Sequence, residues 1–156
     1  MHALDGIRVV DFTTMWNGPY ATLLLSDMGA DVLKVEPPDG DPWRRSINGF
    51  LGCNRGKRSI SLNLKKAEGK EIVHQLIARA DVVAENARWG VWHKMGLDYD
   101  SVKKIKPDII YLSALGYGST GPLSSRPAFD PVVQCRSGEM VNQGGLGEPP
   151  VYYAIA

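Results

Sequence analysis

Ile7-Arg8-Val9-Val10-Asp11-Phe12 and Val32-Leu33-Lys34-Val35-Glu36 are two short, mainly apolar runs, and the residues between them decide the fold. Each run has the length and β-branched content of a buried strand. Thr13 to Gly18 read as a polar turn, and Pro19 suits the first position of a helix from Tyr20 to Met28. Gly29 fits the left-handed position just past that helix, and Pro37-Pro38 stop the second run. Strand, helix and strand within about 30 residues imply a right-handed crossover and a parallel pair.

The alternation continues outward. Ser59 to Leu64 reads as a strand with one wet face. From Lys66 to Ala80, residues Ile72, Val73, Leu76, Ile77 and Ala80 share one helical stripe. Asp81 to Glu85 is a further strand with Asn86 at its carboxyl end. Gly90 to Lys106 holds one or two helical segments broken near Gly96, and Asp108 to Ser113 is the next strand. A loop-like region follows, and Val151 to Ala156 reads as the start of another strand. The pattern predicts an α/β fold, a Rossmann-like, doubly wound and mostly parallel sheet, as one domain over residues 1–156. Ligands of such sheets bind beyond the carboxyl ends of the strands, here Thr13–Asn17, Glu36–Asp41, Asn86–Trp89 and Ala114–Gly118.

Composition narrows the function classes. With 44% hydrophobic and 22% charged residues in 156, the chain has the make-up of a soluble globular domain. A formal net charge of +1 gives no global field for nucleic acid or a membrane surface. No apolar run approaches the roughly 18 residues of a membrane span. Met1 to Gly6 lack the basic and apolar regions of a signal peptide. Cys53 and Cys135 are expected to be two free thiols in a reducing cytoplasm.

Glu36 ends the second run as a ribose-binding acid would in a dinucleotide site. The preceding turn, however, has a single glycine, Gly18, where GxGxxG needs three, so a pyrophosphate has no close seat there. A second feature is a charge imbalance. Arg44, Arg45, Arg55, Lys57, Arg58, Lys65 and Lys66 fall in a stretch with no Asp or Glu. This reads either as a solvated basic loop or, through the compact Asn54-Arg55-Gly56-Lys57-Arg58, as a cradle for a phosphate cluster. His2, His74 and His93 show no metal-ligand spacing, and His93 is expected to pack beside Trp92. Neither cysteine shows the histidine pairing of a nucleophile.

Leu4 to Asp11, Gly18-Pro19-Tyr20-Ala21 and Gly29 to Pro38 resemble the opening of the class III, or CaiB/BaiF-type, CoA-transferases. The resemblance continues through Asn54 to Ile60, Asp81 to Asn86, Gly116-Tyr117-Gly118 and Thr120-Gly121-Pro122, in order along essentially the whole chain. It implies the N-terminal part of a larger interlocked-dimer fold, either a homodimer or a heteromer with a chain supplying the remainder, with coenzyme A bound as an acyl-CoA substrate and no metal. The CoA contacts it implies fall at Leu62, Lys65, Asn86, Ala87, Lys94 and Met95, with Arg45, Lys57, Arg58 and Arg88 as phosphate-side cations. Relatives often carry an aromatic where this chain has Ala87, and some carry an arginine near Pro37. Trp16, Asn17 and Tyr117 are similar in position to residues near the acyl group.

The chemistry implied is transfer of CoA from an acyl-CoA donor to a carboxylic acid through aspartyl anhydride and thioester intermediates, with the nucleophile expected just past Ala156 and no catalytic residue within the chain. Two alternatives stay open: the racemase branch of the family, and a non-catalytic CoA-binding or structural subunit. The racemase histidine falls where this chain has Phe129. Asp130 is the one carboxylate near the end that resembles a substitute nucleophile, and as a residue before Pro131 it is expected to cap a helix. Trp16 either walls the acyl site or packs beneath the first helix.

Overall fold

The computed structural model describes residues 2–153, which divide after Ala114 into two compact units. The first unit holds a five-stranded sheet of β1 (Arg8–Asp11), β2 (Asp31–Glu36), β3 (Arg58–Ser61), β4 (Val82–Glu85) and β5 (Ile110–Ser113). Its order is β3-β2-β1-β4-β5 and every pair is parallel. Val9 stands level with Val32 on one side and Val82 on the other. The order of connections therefore reverses at β1, and the topological switch point lies between β1 and β4.

Helices α1 (Asn17–Asp27), α2 (Ile47–Asn54), α3 (Ala67–Ala78), α4 (Val91–Met95) and α5 (Tyr99–Ile105), with a 3-10 turn at Pro42–Arg45, connect the strands. On one face of the sheet Val10, Phe12, Val35, Val83 and Ile109 pack with Val73 and Ile77 of α3, Leu97, and Val102 of α5. The other face carries an apolar cluster near its amino end, where Val9, Ala30 and Val32 meet Leu25 of α1. Toward the carboxyl end that face carries charge beside the buried Ala84 of β4. Because side chains alternate along a strand, Asp11 of β1 and Lys34 of β2 follow Val9 and Val32 onto it, and both are buried.

The boundaries moved in ways the sequence explains. α1 begins at Asn17, one turn earlier than expected, and its end is as expected, with Gly29 at φ 101°. A Cβ on Gly29 would lie 2.5 Å from the His2 Cβ, so glycine is required there for space as well as conformation. β3 runs from Arg58 to Ser61, starting one residue before the expected Ser59–Leu64 and ending three residues before its end. The α3 stripe is buried at Val73, Ile77 and Ala80, whereas Ile72 is 40% exposed on the flank of the helix. Gly96, at φ 70°, separates α4 from α5.

The second unit contains α6 (Asp130–Ser137) and α7 (Glu139–Gly144). Phe129, not Asp130, is the N-cap of α6, and Asp130 does not cap it with its side chain. The Asp130 carboxylate instead accepts from Gln134 Nε2 at 2.9 Å and from the Tyr152 hydroxyl at 3.1 Å. Val151–Tyr153 form no strand. Tyr153 C=O accepts from Gln134 Nε2 at 2.6 Å, and the rest of the expected strand, 154–156, lies outside the described residues.

Candidate functional site

A parallel sheet delivers every loop that follows a strand to the same edge. Trp16 and Asn17 follow β1, Arg45 follows β2, Leu62 and Lys65 follow β3, and Asn86, Ala87 and Arg88 follow β4, with Lys94 and Met95 on α4 just beyond. Arg45, Lys65, Arg88 and Lys94 are exposed and form no ion pair among the described residues. Met95 packs against the core, and the Leu62 side chain belongs to it. Tyr117 lies in the second unit, where the Arg136 guanidinium stands 5.9 Å from the centre of its ring.

Lys57 and Arg58 are placed differently. They enter β3 from its amino end, and the Lys57 side chain is 1% exposed. Its ammonium lies 3.0 Å from Asp11 Oδ2 and donates to Thr22 Oγ1 at 2.8 Å, Pro19 C=O at 2.9 Å and Asn54 Oδ1 at 3.0 Å. Burial lowers the pKa of this lysine and the Asp11 carboxylate opposes the shift. With its three protons shared among four oxygens inside the fold, Lys57 braces β1 and α1 instead of facing a phosphate. Arg58 forms a two-point pair with Asp31, the first residue of β2, at 2.6 and 3.0 Å. Arg44 pairs with Glu36 and Arg55 with Asp27. The basic segment that lacks acids of its own is thus answered by acids from other segments, and Arg45, Lys65 and Lys66 remain unpaired among the described residues.

The Glu36 carboxylate is 4% exposed and takes two bonds of 2.6 Å from Arg44. That pairing, more than the opposing effect of burial, holds its pKa below the usual carboxylate value. With Asp41 N–H also donating to it at 2.9 Å, this carboxylate is engaged inside the protein and is not presented to a ribose hydroxyl.

Around the switch point the turn after β1 is held from several sides. Lys34, a charge between the apolar residues Leu33 and Val35 of β2, is 2% exposed; its ammonium donates to Thr13 C=O at 2.6 Å and lies 2.8 Å from Asp41 Oδ2. Thr13 donates through N–H and hydroxyl to Asp11 Oδ1. Asn86 bonds both backbone groups of Thr14, at 2.9 and 2.7 Å. Trp16 packs edge-on against Trp43 of the 3-10 turn, ring centres 5.0 Å apart, so it joins two carboxyl-end loops. Met15, between these anchors, has φ 66°, a left-handed conformation that costs a non-glycine residue about 1–3 kcal/mol and persists only where neighbours enforce it.

Glu85 closes β4 with 4% exposure, accepting from Ala87 N–H at 2.9 Å and pairing closely with the Ser113 hydroxyl. Burial raises its pKa against those hydrogen bonds. Neither Lys34 nor Glu85 was singled out in the sequence. A charged residue inside an apolar strand is the signal for such groups, because a buried charge requires partners.

Other candidates recede. Both cysteines are free; Cys53 is buried, and burial raises its thiol pKa, which disfavours a thiolate. His93 is exposed on α4 with its Nδ1 3.5 Å from Asp98, while its neighbour Trp92 takes the packing position against Phe12. No group of three or more His, Cys, Asp or Glu side chains among the described residues is arranged to hold a metal. No helix among them is long and apolar enough to cross a membrane.

Known proteins match the chain along nearly its whole length. The family model for CoA-transferase family III matches residues 4–156. An acetyl-CoA:oxalate CoA-transferase of Acetobacter aceti is 42% identical over 154 residues, 94% of this chain and 40% of that protein. A mouse succinyl-CoA:glutarate CoA-transferase is 41% identical over 165 residues, covering 100% and 38%. Among solved structures, the Mycobacterium tuberculosis protein Rv3272 aligns with a TM-score of 0.93 and 36% identity over 99% of this chain and 45% of its own. A CaiB/BaiF family protein of Brucella suis aligns at 0.88 and 41% over 99% and 44%. The chain spans about two fifths of the length of the curated relatives it matches.

Proposed function

Because the chain belongs to CoA-transferase family III, we propose that it forms the CoA-binding part of an enzyme that moves CoA from an acyl-CoA donor to a carboxylic acid acceptor. The observation that carries this reading is the set of four cations, Arg45, Lys65, Arg88 and Lys94, unpaired among the described residues, on the carboxyl edge of a sheet whose sequence matches that family throughout. Pyrophosphate and 3′-phosphate groups of CoA suit such cations. Leu62, Asn86, Ala87 and Met95 supply the backbone and apolar surface beside them, Lys57 acts from within the fold, and Arg58 is taken up by its surface pair with Asp31.

In the proposed cycle an aspartate carboxylate attacks the donor thioester, releases CoA thiolate and leaves a mixed anhydride. The thiolate attacks the aspartyl carbon, freeing the donor acid and forming an aspartyl-CoA thioester. The acceptor carboxylate displaces CoA from that thioester, and the thiolate then takes the acceptor acyl group and regenerates the aspartate. That aspartate lies outside these residues, so turnover requires the polypeptide that supplies it, in a dimer of the family kind. Trp16 and Asn17, in the turn after β1, border the acyl group.

The test is transfer of labelled CoA between a donor acyl-CoA and a panel of carboxylic acids by the active assembly, followed by mass spectrometry. A 2-methylacyl-CoA is incubated in deuterated water beside it. CoA transfer without α-deuteration is expected. Rapid enzyme-dependent deuteration without transfer would replace the reading by the racemase one.

A further inference from the structure

Building on the CoA-transferase reading, we propose that Asn86 is a positioning residue: its side chain holds the turn after β1 in place across the switch point and is not itself a ligand of CoA. Asn86 Oδ1 accepts from Thr14 N–H at 2.9 Å, and Nδ2 donates to Thr14 C=O at 2.7 Å and to Asn17 Oδ1 at 3.0 Å. An amide side chain has two N–H donors, and both are spent. The two bonds to Thr14 replace a pair of main-chain bonds, so β4 grips the turn much as a neighbouring strand would. Asn17 Oδ1 passes the connection on by accepting from Gly18 N–H at 2.8 Å.

The clasp has a fixed base and a strained load. Glu85, the preceding residue, is held by Ser113 and by Ala87 N–H, which leaves the Asn86 backbone little freedom. On the far side of the turn Lys34 holds Thr13 C=O. Met15, directly after Thr14, is left-handed, and Trp16 follows it against Trp43. Without the clasp, Met15 relaxes toward ordinary backbone angles and carries Trp16 and the start of α1 out of register. Groups that must meet reacting atoms tolerate little displacement, so the loss falls on turnover before it falls on cofactor affinity.

The experiment uses the active assembly carrying Asn86→Ala. Three quantities are read: hydrogen exchange at the Thr14 amide, the Kd of CoA by calorimetry, and kcat for CoA transfer. Thr14 exchange is expected to rise at least about tenfold, kcat to fall at least about tenfold, and the CoA Kd to change less than about twofold. A CoA Kd weakened about tenfold with Thr14 still protected would make Asn86 a direct ligand and overturn the proposal. Unchanged kcat despite a deprotected Thr14 would overturn it too. If Asn86→Ala does not fold, Asn86→Asp keeps the volume and the acceptor for Thr14 N–H, and about 0.5 M salt screens its added charge. It should lower kcat with CoA affinity retained, and an equal loss in both counts against the proposal. A wild-type assembly that binds no CoA removes the functional reading instead, while Thr14 exchange still decides whether Asn86 holds the turn.

Discussion

Lys57 Nζ stands 3.0 Å from Asp11 Oδ2, and neither side chain is more than 1% exposed. The pair ties the residue before β3 to the last residue of β1, with Thr22 of α1 bonded to both partners. Lys57→Met leaves the Asp11 carboxylate in the interior without this cation, a change that typically costs about 3–5 kcal/mol. Arg58→Met removes only an exposed pair and is expected to cost no more than about 1 kcal/mol. Urea unfolding of the two variants side by side measures the contrast, and equal costs would mean that the ammonium is not the brace described.

Glu85 supplies a pH signature. Its folded-state pKa is raised by burial, so the neutral acid is the form the fold prefers. Stability is therefore expected to fall as pH rises from the ordinary glutamate value through the raised one, and to level off above it. Glu85→Gln cannot ionise and should lack that decline, so the variant gains on the wild type between acidic and neutral pH. Thermal unfolding across that range tests the sign, and parallel curves would refute it.

Glu36 runs the opposite way. Its pKa is lowered, chiefly by the Arg44 guanidinium. The stability it contributes is complete above the ordinary glutamate value and is lost as pH falls through the lowered one. Arg44→Met should make unfolding begin at a higher pH on acidification. Because Arg44 is 45% exposed, salt is expected to shrink the difference.

Gly18 opens α1 where a side chain has no room. A Cβ there would fall 2.5 Å from the Thr13 Cβ and 2.6 Å from its Cγ2. Gly18→Ala should destabilise the protein by about 1–3 kcal/mol, the usual range for overpacking, and the displaced turn should also show in hydrogen exchange from Thr13 to Trp16.

Trp16 and Trp43 together present an aromatic surface beside the turn. If that surface borders the acyl group, Trp16→Ala should change relative kcat/KM across acyl chains of increasing bulk, with the bulkiest losing most. An unchanged ranking would leave the pair a purely structural brace between two loops.

CoA affinity should follow the unpaired cations. Lys65→Ala and Arg88→Ala should each weaken binding and flatten its dependence on salt, whereas Arg58→Ala should leave both nearly unchanged. Calorimetry on the assembly distinguishes the three.

The sequence by itself determined the sheet. Runs such as Val9-Val10 and Val82-Val83, turns at Gly29 and Gly96, and the α3 stripe are local patterns, and with right-handed crossovers they imply a mostly parallel sheet, whose order β3-β2-β1-β4-β5 came with the tertiary structure. The carboxyl-edge loops, and the positions of Asn86, Arg88 and Lys94 on them, follow from the parallel arrangement. Which charges stay available was settled only by tertiary structure. Seven cations in a stretch without acids looked free, yet Asp11, Asp27, Asp31 and Glu36 reach four of them from other segments. The same holds for Asn86, whose amide could as well have faced a ligand until the fold brought Thr14 beside it. Periodicity is written along the chain, but ion pairs and hydrogen bonds form between residues tens of positions apart, and their partners exist only after the strands have assembled.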